Sequence, residues 1–265
     1  MKHTNLIILI AMIVITFFAF RRDKKKYEEF TSLEETEKRQ KFFKLWTVEP
    51  FFLYGLLSLV ILFWIEEINA LMVMPEFLVE FVNSIKSKSG IRDSKIISGM
   101  LKGIKISIIP SLILGSIIGT YFREYQANKS KKIDKKLESG DNDFRNLESL
   151  IPRNYKERIW GAILSVNAGF SEELFFRLLA PILIYSVTGS ASISIIASTI
   201  WFGLGHYYQG VSGILVTFLL GLLLFSVFLI TKNIWITMIV HATLDINGLV
   251  LSPWLKERYE IQNKQ

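Results

Sequence analysis

The chain has 265 residues, 51% hydrophobic and 13% aromatic, with a mean hydropathy of +0.36, a formal net charge of +7 and no cysteine. So apolar a composition does not describe an ordinary soluble domain and reads as a membrane protein. The missing cysteine excludes a disulfide framework, a cysteine nucleophile and any thiolate metal site.

A spanning helix needs about 20 mainly apolar residues. Residues 5–20 (NLIILIAMIVITFFAF) form the first such run. No small-residue cleavage site follows it, and RRDKKK comes at once, so it reads as an uncleaved anchor rather than a signal peptide. The next runs are 50–65, then 104–122 with Pro110 as an expected kink, 159–187, 190–207, 211–231 and 234–251. The expected fold is therefore all-α, a polytopic bundle of about seven spans, within a range of six to eight.

Basic residues set the orientation. Residues 21–44 carry nine Lys and Arg, and residues 123–158 carry ten. Both stretches read as cytoplasmic loops, which puts the N-terminus outside and the tail KERYEIQNKQ inside. Positive charge placed this way meets the bilayer, and no nucleic-acid partner is expected. Trp46, Trp64, Trp160, Trp235 and Trp254 fall at expected span ends, as in an interfacial belt. Residues 76–85 have apolar positions at 77, 78, 81, 82 and 85 and read as an amphipathic helix on the outer surface. The domain reading is N-terminal membrane helices over 1–157, a membrane core over 158–253 and a cytoplasmic tail over 254–265.

The fourth run contains GFSEELFFRLLAP, residues 169–181. Ionisable groups in a membrane segment are costly and are normally paired, turned inward and functional. Glu173 and Arg177 are four apart and share a helix face. Glu172 is turned away from Glu173 by about 100°, so Arg177 cannot easily serve both. One carboxylate is then structural and the other, Glu172, faces something else. Two of the three histidines also lie in apolar runs: His206 in WFGLGH and His241 in IVHATLDIN, with Asp245 on the face of His241. These groups avoid lipid most cheaply by converging on one interior cavity. A glutamate and two histidines there suit hydrolysis, with general-base activation of water and stabilisation of an oxyanion. The same four groups, Glu172, His206, His241 and Asp245, could instead hold a divalent metal such as zinc. Other intramembrane hydrolases leave different traces. There is no HExxH and no GxGD, and the GVSG at 210–213 leaves the charged residues unexplained.

Three blocks taken together resemble one family. EELFFR at 172–177, Phe202–His206 and His241–Asp245 are similar to the EExxxR, FxxxH and HxxxN/D motifs of the type II CAAX prenyl endopeptidases. That family is also described as the Abi or CPBP intramembrane proteases. The resemblance covers roughly residues 158–250. It implies a helical bundle with a cavity open to the cytosol, in a plasma membrane of bacterial type. It also implies peptide-bond hydrolysis on a membrane-associated protein or peptide. By carry-over, Glu172 and His206 would activate water, and His241 with Asp245 would form the oxyanion side. Glu173 and Arg177 would hold the architecture, and Phe202 would pack beside His206. Prenyl endopeptidases proper carry Asn at the last motif position. An ionised Asp245 cannot donate to an oxyanion, so it would be protonated, bind a metal or orient His241. The alternative class is a membrane immunity protein of the bacteriocin type that keeps the fold without proteolysis.

Overall fold

Apolar runs of this length, in a solvent that cannot satisfy backbone polar groups, fold as helices. The computed structural model describes residues 2–88, 114, 115, 118 and 150–262. Among them there is no strand, and the architecture is a helical membrane bundle. In chain order its helices are α1 (Lys2–Thr31), α2 (Thr36–Pro50), α3 (Leu57–Trp64), α4 (Glu76–Lys88), α5 (Tyr155–Glu173), α6 (Ala180–Thr188), α7 (Ala191–Gly205), α8 (Gly210–Thr231), α9 (Ile234–Ile246) and α10 (Ser252–Gln262). Four continuous helices are long and apolar enough to cross a bilayer: Lys2–Thr31, Thr36–Trp64, Tyr207–Thr231 and Ile234–Leu255. Helix α7 is apolar but has 15 residues, fewer than a full span needs. The expected span over 104–122, its kink at Pro110 and the basic stretch 123–149 lie outside the described residues, apart from Leu114, Gly115 and Ile118.

Three π-helical segments interrupt the long helices: Phe51–Leu56 between α2 and α3, Leu174–Leu179 between α5 and α6, and Asn247–Leu251 between α9 and α10. Each lies within two residues of a proline: Pro50, Pro181 and Pro253. Pro181 and Pro253 supply no N–H and crowd the carbonyls four residues back, Arg177 and Leu249, inside the π segments, so the ladder there widens rather than breaks. Three of the core helices, α5, α7 and α9, start on side-chain caps. Asn154 accepts from the Glu157 N–H at 3.0 Å, Ser190 from Ile193 at 3.4 Å and Asn233 from Trp235 at 2.9 Å.

Residues 21–44 are not a loop. Helix α1 runs through the basic stretch to Thr31, and after a short turn α2 begins at Thr36. Buried apolar positions continue past the membrane run: Tyr27 and Phe30 on α1, Phe43 and Trp46 on α2. This aromatic packing carries the helices beyond the apolar segment. Trp46 is thus inside the protein, 5.5 Å from the ring of Tyr208, and not in an interfacial belt. Arg39, counted among the loop cations, is fully buried against Glu157 at 3.1 Å, and also donates to the Ile151 carbonyl. Asn154 bonds Thr36, and Arg158 pairs with Glu257. The α1–α2 turn, the start of α5 and the tail helix α10 therefore gather at one end of the bundle. The domain boundary expected at 157/158 falls inside α5, which packs along α2.

At the other end, α4 is helical as expected, but its apolar face meets protein. Phe77 and Leu78 are buried, and the ring of Phe77 stacks on Tyr185 at 4.2 Å. Helices α5 and α9 pack closely along each other. A Cβ on Gly169 would sit 2.7 Å from the Met238 carbonyl and 2.8 Å from Ala242. Only glycine allows this approach, which is how small residues bring membrane helices together.

Candidate active site

The Gly169 contact sets Glu172 and Glu173, one turn further along α5, beside His241 on α9. Glu173 is fully buried, and its Oε1 accepts from His241 Nδ1 at 2.7 Å. Its Oε2 lies 3.0 Å from Arg177 Nε, as helical spacing predicts. This is an ion pair without hydrogen-bond alignment, and the guanidinium instead lies over the Phe202 ring at 4.4 Å. The opposite nitrogen of His241 faces two further carboxylates, Asp245 at 3.6 Å and Glu172 at 3.9 Å. The hydrogen bond that fixes the His241 ring thus comes from Glu173, while Asp245 stands at the other nitrogen.

His206 follows the last residue of α7. Its Nδ1 lies 3.1 Å from the Phe202 carbonyl, which can only accept, so Nδ1 carries the proton and Nε2 keeps its lone pair. Phe202 is buried and packs edge-on to His206 at 5.2 Å and to His241 at 5.9 Å. A Cβ on Gly221 of α8 would stand 2.9 Å from the Phe202 ring, so the glycine makes room for it.

Glu172, His206, Asp245 and Phe202 line one cavity of about 410 Å³. His241 does not line it; the ring stands behind Glu172 and Asp245 and is buried. Part of the cavity wall comes from outside the motif-bearing helices. Asp23 of α1, Phe43 and Trp46 of α2, and Tyr54 of the first π segment all face it, together with Tyr208. All three π segments contribute to the lining, through Tyr54, Phe176, Gly248 and Leu249. Such segments recur at functional sites because they re-aim side chains.

The donor set does not fit a resident metal. Among the described residues no three His, Asp or Glu side chains group as ligands.

Residues 155–247 match the family described as type II CAAX prenyl endopeptidase Rce1-like. No curated protein and no solved structure matches the chain. The matched segment opens at the first residue of α5 and closes at the start of the third π segment. It takes in Glu172, Glu173, Arg177, Phe202, His206, His241 and Asp245. It leaves out Asp23, Phe43, Trp46 and Tyr54, which sequence reasoning also missed. Asp23 stands in RRDKKK and reads as one acid in a solvated basic run. The only signal for it was the helical spacing of Ala19, Tyr27 and Phe30, which continues a buried face through the charges.

Proposed function

We propose that the chain is an intramembrane endopeptidase of the CAAX-protease type, cleaving a membrane-associated protein or peptide with water activated by Glu172 and His206. The observation that carries this reading is the convergence of Glu172, His206 and Asp245, from three helices, on one cavity. The cavity faces the cytoplasmic side if the basic ends of the helices lie there.

The water sits between Glu172 and the free Nε2 of His206. As its oxygen attacks the scissile carbonyl carbon, its proton passes to the Glu172 carboxylate. The tetrahedral intermediate collapses, the C–N bond breaks, and the amine leaves with that proton. Glu173 holds His241, and His241 in turn faces Glu172 and Asp245. Its burial behind the cavity wall supports a positioning role rather than direct contact with an oxyanion. Arg177 balances Glu173 and packs on Phe202, which carries the His206 anchor.

The test uses purified protein in proteoliposomes, a farnesylated peptide ending in a CAAX sequence, and mass spectrometry of the products. Glu172→Gln abolishes cleavage while the protein still accumulates in the membrane. His206→Ala lowers the rate by about 10²–10⁴-fold, the usual range for a lost acid–base group. Cleavage unchanged by both substitutions overturns the assignment. Absence of any cleavage by the unaltered protein moves it to the non-proteolytic immunity or binding class.

A further inference from the structure

The charge of the cavity is opposite to that of the chain. The protein carries a net +7, yet among the described residues the cavity lining holds three carboxylates, Asp23, Glu172 and Asp245, and no Lys or Arg. Two of the three are engaged with His241. Asp23 is different. Its one close neighbour is Arg22 at 3.5 Å, and the same Arg22 nitrogen lies nearer Glu49, at 3.0 Å. Lys26 is also bound to Glu49, at 2.5 Å. Arg22 is thus shared between Asp23 and Glu49 while Lys26 binds Glu49, and Asp23 faces the cavity from the edge of this cluster.

The rest of the wall is aromatic. Phe43, Trp46, Tyr54, Phe176, Phe202 and Tyr208 all face the same space. Trp46 is held in place by Tyr27, stacked at 6.2 Å, and by Tyr208. Aromatic faces attract cations, and more strongly when water is excluded. A carboxylate set among aromatic faces recognises an ammonium or guanidinium group, and the same surface repels a carboxylate.

We infer that Asp23 is a specificity-determining residue: with the aromatic wall it receives a basic side chain, Lys or Arg, of the peptide whose bond Glu172 and His206 cleave. This rests on the hydrolytic reading of the cavity and adds the charge of its substrate. Asp23 lies outside the matched segment, so the selection belongs to this chain's N-terminal helices. The peptide is engaged through an internal basic residue.

The experiment has a binding arm and a cleavage arm. N-acetylated, farnesylated peptides carry Lys, norleucine or Glu at each of the three positions on either side of the scissile bond. Acetylation removes the terminal amine as a competing source of positive charge. Binding is read by fluorescence anisotropy on the Glu172→Gln protein in nanodiscs, so it does not depend on turnover. The expected result is a preference for Lys over norleucine of about ten-fold at one position, the size of one charge-assisted hydrogen bond. Glu at that position binds more weakly than norleucine. Asp23→Asn on the same background removes the preference, Asp23→Lys reverses it in favour of Glu, and Asp23→Glu retains it. Equal binding of all three peptides, or a Lys preference that survives Asp23→Asn, overturns the inference. Cleavage of all three at equal kcat/KM overturns it as well and leaves the hydrolase reading intact. Selective binding without cleavage by the unaltered protein sinks the hydrolase reading and leaves the cation site standing.

Discussion

Two adjacent glutamates have different surroundings because one residue turns a helix by about 100°. Glu172 looks into the cavity; Glu173 is sealed between Arg177 and His241. Removing one member of a buried pair leaves an uncompensated charge and costs about 3–5 kcal/mol. Glu173→Gln therefore lowers thermal stability and yield, while Glu172→Gln leaves both near the unaltered protein. Melting curves in detergent decide this, and equal losses for the two variants would refute the division. The Glu173–Arg177 pair was legible because four residues of helix separate its members. The Glu173–His241 bond was not, since it joins positions 68 apart and exists only through packing. Arg39 shows the same limit more sharply. In the sequence it is one of nine cations in a basic stretch; in the fold it is wholly buried on Glu157. Local composition gives no sign of a partner 118 residues away.

Among the elements, the α5–α9 contact does most to place the candidate site. It depends on Gly169, where a methyl group would overlap Met238 and Ala242. Overpacking of this kind costs about 1–3 kcal/mol. Gly169→Ala should lower the melting temperature and cut activity further than folding alone accounts for, because Glu172 and Glu173 shift away from His241. The check is kcat per folded molecule beside the melting curve; full activity in a folded variant would show that the spacing is not critical. The apolar runs made most helices legible, and the three charged motifs marked α5, α7 and α9. The continuation of α1 through RRDKKK was hidden because its buried residues, Tyr27 and Phe30, are spaced at helical period among charges. The amphipathic pattern at 76–85 was real, but a hydrophobic face does not say whether lipid or protein covers it. Here Tyr185 supplies the cover for Phe77.

For the whole molecule, the α1–α2 turn with the basic helix ends beside it, the start of α5 and the tail lie together, joined by Thr36–Asn154, Arg39–Glu157 and Arg158–Glu257. The distribution of Lys and Arg predicts that this end is cytoplasmic. The chain has no cysteine, so a single one reports cleanly. Met72→Cys should react with an impermeant thiol reagent in intact cells, and Ser32→Cys only after lysis; the reverse pattern overturns the orientation. Helix α1 also bears on how water reaches the cavity. Its 30 residues extend about 45 Å at 1.5 Å each, against a hydrocarbon layer of about 30 Å. Roughly a third of it must stand clear of the lipid tails, and Asp23 lies in that last third. Because Asp23 shares a cavity with Glu172, the chamber straddles the waterline. Water can then reach a glutamate on a membrane helix by ordinary diffusion, and under the proposed hydrolysis a cleaved peptide would leave by the way the water came in.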